Sequence, residues 1–483
     1  MRTTDQNACA AAIKSAFYQS NSVQTLEIPL LETDQALVLF IQEIVDQNKL
    51  HALIVDPLTR FRLAKQSYPT ESVKTWLKDG TPLPNATVEQ IKREMMNGQA
   101  VVLLKDEQPV LIDCAMWNVR SVSVPLTSSV YEGPASALTE SLDVNMNLLR
   151  NYFRSPELAI ETLEVGENAA KKMAIVSLHG KTNPDLVKEV RERLKQVHVA
   201  EFIISQIATD ALEGKGFLFP RTMANDRPDA CALALAKGKI VLLVEGSPLA
   251  ILAPSLFFHF FQNQDDYLSE FGRFGARPLR YLYFFIATFF PAITVAIIRF
   301  HLGHIPTEVA NQLVKTHETL APYTIELVFV ILLLQLIMDG SYRLPGNTIF
   351  AVTFIGTMLI SDIATNVSLF HPITIVVIGV CYITSFPVLN RGLLSPIFFI
   401  RITLIIVAHF FGFAGMFAVT TAVIIHMAHL RSLGIPYLYP FIPFQPDKWH
   451  DTIFRPTLTM AINKPTPLPF KKAEAAQNRR GSY

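Results

Sequence analysis

The chain has 483 residues, 50% hydrophobic and 17% charged, with a formal net charge of +1 and a mean hydropathy of +0.30. That length exceeds one typical domain, the hydropathy leans towards a membrane protein, and a charge so near zero excludes the basic footprint of a nucleic-acid binder. The averages hide two halves, because of 42 basic and 41 acidic side chains only ten fall between Tyr281 and Leu430.

The pattern predicts an α+β cytoplasmic region of two small domains followed by an all-α polytopic membrane domain. The expected bounds are 1–125 and 126–278 for the two soluble domains, 279–430 for the membrane domain and 431–483 for a cytoplasmic tail. Cys9, Cys114, Cys231 and Cys381 have no CxxC or metal-like spacing and read as reduced cytosolic or buried thiols. The first residues, MRTTDQNACAAAIKSAF, lack the apolar run of a secretory signal, so the soluble part is expected in the cytoplasm.

In the first soluble domain Ala36 to Val45 reads as either strand or helix, and Leu50 to Val55 reads as a strand. Thr87 to Asn97 is a helix opened by a Thr with Glu89 and Gln90 close behind, and Ala100 to Leu104 pairs with Pro109 to Ile112 as a hairpin. Val119 to Pro134, rich in Ser, Pro and Gly, reads as a linker or extended crossing. In the second domain Ser136 to Phe153 is a helix and Lys172 to Leu178 a buried strand. Asn183 to Val197 is an amphipathic helix with an Asn cap and a first-turn Pro, and Ile240 to Val244 and Leu249 to Leu252 flank a tight turn. No phosphate-binding glycine loop, HExxH or nucleophile elbow occurs here, so no enzyme, metal or cofactor is expected. DRPD, Asp226 to Asp229, reads either as an Arg227 site paired with acids or as a helix start with a structural ion pair.

Tyr281 to Ile298 is the first candidate span, with Pro291 as a kink inside it and Arg277 and Arg280 ahead of it on the cytoplasmic side. A loop with His301, His304 and His317 follows; these histidines read as pH sensors or as solvated loop residues. Thr324 to Met338 is the second span. Glu326 near its outer end reads as an ion ligand or as an interfacial group, and Asp339 and Arg343 follow its inner end. The third, within Arg343 to Ser368, carries Thr353, Thr357, Ser361, Thr365 and Ser368 at steps of four, four, four and three, a face about 120° wide on a helix, with Asp362 at or beyond its edge. That face reads as pore lining, or as hydroxyls bonded to their own backbone or to a neighbouring helix. Pro372 to Leu389 is the fourth span. Leu393 to Leu430 would be about 57 Å long as one helix, too long for one crossing. It either folds back near Gly412 and Gly415 or lies partly along the interface. Arg401 inside it calls for a buried partner, with Asp339 or Asp362 available, or for an interfacial position. The basic tail returns to the cytoplasm, so four or six spans are expected.

Several segments, in order, are similar to one family. They are Glu132 to Arg150, Asp226 to Asp229, Leu242 to Pro254, QDDY (Gln264 to Tyr267), RLP (Arg343 to Pro345) and HLRSLGIPYLYPFIPFQP (His429 to Pro446). Together they resemble the A subunits of the GerA-type spore germination receptors, of which stage V sporulation protein AF is a close relative associated with ion and dipicolinate release. Where the family commonly reads IGQA in the third span, this chain reads ISDI, which puts Asp362 at the usual Gln. The resemblance implies a multi-pass protein of the inner spore membrane that works beside a transporter-like B subunit and a lipoprotein C subunit. It also implies a homo-oligomeric, nutrient-gated channel for monovalent cations. In that reading Thr353, Thr357, Ser361, Asp362 and Thr365 line the ion pathway and Glu326, Asp339 and Arg401 are charged partners in the membrane. A non-conducting scaffold for a transporter-like partner is the competing reading, and a secondary transporter is disfavoured because no repeated pair of broken helices occurs.

Overall fold

A computed structural model of the chain describes residues 6–17, 22–30, 34–65, 76–77, 79–84, 86–105, 108–116, 133–134, 136–168, 170–197, 199, 202, 204–214, 218–262, 267, 270–304, 306, 322–341, 370–385, 391–445, 449 and 452–454. The first soluble unit runs α1 (Gln6–Ser15), β1 (Val23–Pro29), β2 (Gln35–Ile41), α2 (Gln47–Leu50), a π-helical turn His51–Val55, α3 (Asp56–Lys65), β3 (Thr81–Pro82), α4 (Val88–Met96), β4 (Gln99–Leu103) and β5 (Val110–Asp113). Its strands form one antiparallel sheet in the order β1-β2-β4-β5-β3. Helices cover both faces: Val38, Phe40, Val102 and Ile112 pack towards α2 and α3, and Leu37, Leu39, Val101 and Leu103 towards α1 and α4. A strand buried on both sides is apolar throughout, which is why Ala36 to Ile41 shows no strand alternation; the strand ends there, and Gln42 to Ile44 form a turn.

Leu50 to Val55 is helical, not a strand. Asp46 Oδ1 accepts the Asn48 and Lys49 amides at 2.8 and 3.4 Å, and Leu50, Ile54, Leu58 and Phe61 are all buried, a spacing of four, four and three. The Thr87 capping box forms as expected, with Gln90 N on Thr87 Oγ1 and Gln90 Oε1 receiving the Thr87 amide.

The second unit runs α5 (Leu142–Tyr152), β6 (Leu158–Val165), β7 (Lys171–Leu178), α6 (Pro184–Lys195), α7 (Gln206–Glu213), β8 (Met223–Asn225), α8 (Pro228–Ala236), β9 (Ile240–Val244) and β10 (Ala250–Ala253). Its antiparallel sheet has the order β6-β7-β9-β10-β8. The strand order of the first unit recurs, with the same helix, glycine and strand succession ahead of the last hairpin. Val88 and Met96 stand as far before Pro228 and Ala236 as Gly98 stands before Gly238, and GQAVVLL (98–104) faces GKIVLLV (238–244). Both glycines end their helix with positive φ, +88° and +78°, in the left-handed region that lets the chain turn into the next strand. Helix α5 is capped by Ser141, later than its sequence pattern indicates; residues 136–140 are outside the helix and tie to the DRPD turn through the Leu138 amide on Asp226 O at 2.7 Å. The same helix binds the first unit: Asn147 Nδ2 donates to Glu43 O and Met116 O, and the buried Arg150 donates to Ser22 Oγ and Leu158 O.

A 3-10 turn, Phe257–Phe261, leads to the apolar helices α9 (Glu270–Phe300), α10 (Tyr323–Ser341), α11 (Pro372–Ser385) and α12 (Arg391–His429). By length and composition Gly275–Phe300 and Gly392–His429 suffice to cross a membrane, and shorter apolar helices occupy Tyr323–Ile337 and Ile373–Ser385. Helix α12 is two limbs. Gly412 takes φ +55° and ψ −140°, and a Cβ at Gly415 would touch Val407, which a straight helix forbids. At one end Phe413 meets His301 just past α9; at the other His426 meets Phe219 of the second unit. The limbs 391–411 and 413–429 therefore run antiparallel beside α9. The chain then enters a two-stranded hairpin, β11 (Arg431–Ser432) with β12 (Ile435–Pro436), against the second unit.

Two glycines with the same φ of +78° separate steric from torsional effects. A Cβ at Gly238 would lie 2.8 Å from the Lys181 carbonyl oxygen, whereas at Gly180 nothing lies within 4 Å. In thermal unfolding of the solubilised chain Gly180→Ala should lose about 1 kcal/mol and Gly238→Ala clearly more, about 2–3 kcal/mol.

Candidate functional site

Proline has no amide hydrogen, so within a helix it leaves the carbonyl four residues earlier without its donor. For Pro291 in α9 that carbonyl is Ala287 O. It accepts Arg401 Nε from α12 at 2.8 Å and the Cys381 thiol from α11 at 3.0 Å. Arg401 also donates Nη2 to Ser385 Oγ at 3.1 Å and lies over the Tyr382 ring, 5.6 Å from its centroid. Ser385 Oγ in turn donates to Cys381 O at 2.7 Å. Arg401 is 4% exposed, Ala287 and Cys381 not at all, so three helices meet in a buried polar knot. Charge-assisted bonds of this kind contribute about 1.5–3 kcal/mol. No carboxylate among the described residues pairs with Arg401.

A second knot joins α10 and α11. Glu326 is 2% exposed, and its Oε2 accepts the His371 amide at 3.0 Å and Thr374 Oγ1 at 3.1 Å. The carboxylate thus caps the start of α11, where the helix dipole favours negative charge, while Oε1 is buried without a hydrogen-bond partner among the described residues. Further along, Tyr382 OH donates to Ile331 O at 3.2 Å. Glu326 meets Thr374 and Ile331 meets Tyr382, so the two helices run parallel. Thr294 to Tyr323 and Thr324 to His409 add hydroxyl contacts from α10 to α9 and α12, each at 2.9 Å.

At the soluble end, three of the family-like motifs converge. Arg227 Nε and Nη2 donate to Asp229, Tyr267 OH donates to the same carboxylate, and the Arg227 guanidinium lies over the Tyr267 ring. Gly133 packs so closely here that a Cβ would be 3.2 Å from both Arg227 and Tyr267. The ion-pair reading of DRPD is the one the geometry supports. Burial and the bond to Asp229 push the Tyr267 phenol up and keep it a donor. Beside it lies a cavity of about 100 Å³ lined in part by Lys237, Lys239, His259 and Gln262. Burial above all, then Lys239, Lys237 and Arg277, hold the His259 pKa well below its ordinary value. His259 Nδ1 accepts the Leu256 amide at 3.1 Å, so the neutral ring carries its hydrogen on Nε2.

Of the residues singled out from sequence, Glu326 and Arg401 are both buried but belong to different knots. Thr353, Thr357, Ser361, Asp362 and Thr365 lie outside the described residues, as do the Asp339 side chain and His317. His301 stacks against His304 and Phe413. Cys381 reads from sequence only as a buried or reduced thiol, and nothing in the sequence reading points to Tyr382 or Ser385. The signal was present in Pro291, whose freed carbonyl requires donors from neighbouring helices.

The geometry defines a class: a tandem α+β pair joined through buried polar contacts to a set of apolar helices. A family model described as Bacillus/Clostridium GerA spore germination protein matches residues 11–467, and the chain belongs to the GerA family. It is 28% identical over 455 residues to spore germination protein KA of Bacillus subtilis (strain 168), covering 92% of this chain and 83% of that protein. To spore germination protein B1 of the same strain it is 26% identical over 436 residues, 89% of this chain and 90% of the relative. To the uncharacterized membrane protein YfkQ it is 24% identical over 422 residues, 86% and 82%. The crystal structure of the N-terminal domain of the A subunit of the Bacillus megaterium spore germinant receptor GerK3 aligns with 53% of this chain and 96% of its own, at 20% identity and a TM-score of 0.40.

Arg401→Met should destabilise the solubilised protein by about 1–3 kcal/mol, because Ala287 O loses its strongest donor. Pro291→Ala restores an amide four residues after Ala287. In that background the same change should cost at least about 1 kcal/mol less, a coupling that a double-mutant cycle of thermal unfolding measures. For His259 the sign is set by a folded pKa below the unfolded one. The buried neutral ring stabilises above about pH 6.5, and that contribution is lost as pH falls below it. Melting temperature should therefore fall less between pH 7 and 5 in His259→Gln than in wild type, read by scanning fluorimetry.

Proposed function

We propose that the chain is the A-type membrane subunit of a spore germinant receptor, seated in the inner spore membrane with its tandem soluble units in the cytoplasm. A transporter-like B subunit and a lipoprotein C subunit are its partners. The observation that carries this reading is the GerA match, which spans the soluble pair and the apolar helices alike. Leu336, Ile383, Phe410, Phe411 and Phe417 stand outward and exposed, an apolar surface suited to lipid or to a membrane partner. Parallel α10 and α11 need one crossing between them, and 343–368 has the composition to supply it. With the two limbs of α12 that makes six crossings and leaves both ends on the arginine-rich cytoplasmic side.

Within that reading, copies of the chain assemble round a path for monovalent cations lined by Thr353, Thr357, Ser361 and Thr365, with Asp362 as a selectivity charge. A specific observation favours a second reading, a non-conducting scaffold. Arg401 is a fixed buried cation with no described carboxylate beside it, and it disfavours cation passage between the helices it joins. Reconstitution with the partner subunits separates the two. Wild type should carry potassium and sodium flux, Thr357→Phe should remove most of it, and Asp362→Asn should lower the preference for cations over chloride. No flux in wild type, or an unchanged flux in both variants, leaves the scaffold.

A further inference from the structure

The two soluble repeats fill the same part of their cores differently. In the first, the sheet face formed by Ala100, Val102, Val110 and Ile112 is completed by Leu77, 3% exposed, whose carbonyl accepts the Gly80 amide just ahead of β3. In the second, the equivalent face of Ile240, Leu242, Ile251 and Ala253 is completed by Leu433, 2% exposed, which enters the chain only after the last apolar helix. Leu433 is the tip of the β11–β12 hairpin and takes φ +46°, the only positive φ at a non-glycine residue among those described. A leucine held there needs its surroundings to hold it.

The surroundings do so. Ser432 Oγ donates to Arg221 O at 2.7 Å, and Arg221 Nη1 reaches back to Arg431 O at 3.2 Å. Both contacts are made at Arg221, two residues ahead of β8, in the stretch that corresponds to the approach to β3 in the first repeat. On the far side the Phe257 amide donates to Tyr437 O, and Leu256, Ile435 and Tyr439 form a small closed cluster. The Tyr437 amide donates to Leu430 O, which ties the hairpin directly to the end of limb 413–429.

We propose that the hairpin 431–436 is a built-in part of the second repeat's core and the joint through which movement of that repeat reaches limb 413–429. A tether would need only to keep the ends close. Leu433 instead seats the limb's own chain inside the repeat, so neither can shift without the other.

The test is hydrogen–deuterium exchange on the full chain in lipid nanodiscs, comparing wild type, Leu433→Ala, Leu433→Gly and Leu433→Met. Emptying the seat with Ala or Gly should speed exchange together, about tenfold or more, in strand 250–253 and in the last turns of limb 413–429. Met, which refills the seat, should stay near wild type. A rise confined to the strand or to the limb, or a wild-type pattern in Leu433→Gly, overturns the joint. Where Leu433→Ala does not fold, Ser432→Ala removes one bond and should give the same paired rise at smaller size; its absence there overturns the proposal equally. Spores carrying Leu433→Ala should lose their nutrient response while retaining the protein. That last readout rests on the germinant-receptor reading, and a wild-type strain that fails to respond sinks that reading while leaving the exchange result to decide the joint.

Discussion

Pro291 removes one amide hydrogen from α9, and the Ala287 carbonyl left without it must find donors from other helices. Arg401 and Cys381 supply them, and Ser385 and Tyr382 hold Arg401 in place. Buried as both are, such a carbonyl is costly to leave alone and a guanidinium costlier still, so each satisfies the other's need. The arrangement fixes the rotation of α11 and α12 about their axes. Apolar packing in lipid does this weakly, because a lipid tail is as good a neighbour as a leucine. Glu326 does the same service for the start of α11.

The soluble half is held by other means. Each repeat is a sheet covered on both faces, so most of its stability comes from apolar burial with nothing left to specify how the repeats meet. Polar contacts specify that: Asn147 and Arg150 between the repeats, Arg227, Asp229 and Tyr267 where the second repeat hands over to α9, and Ser432 with Arg221 where α12 returns. Several of the family-like motifs supply residues to these joints. Gly133, Arg227, Asp229, Tyr267 and Ser432, drawn from stretches spread along the chain, lie where units meet, while Leu242 to Pro254 and Leu433 belong to the second repeat's core.

Much of the local structure was legible. The Thr87 and Asn183 caps, the two hairpins and the helix-breaking glycine at 412 follow from residue type and spacing over a few positions. Leu50 to Val55 reads as a strand because its five apolar residues fit either period, and only the longer series through Phe61 decides for helix. The repeat escaped notice because its copies share patterning more than identity; GQAVVLL and GKIVLLV stand out only once the sheet orders coincide.

Composition by itself determined the two halves of the chain and that Arg401 and Glu326 need either buried partners or an interfacial position, because transfer free energies depend on residue type alone. Tertiary structure decided who those partners are. A carbonyl freed by a proline 110 positions before Arg401, a cap for a helix 46 residues beyond Glu326, and a core seat filled by Leu433 all join groups far apart in the chain. A one-dimensional reading records which groups need a bond and carries no distance between them, so the need was visible in the sequence and its satisfaction was not.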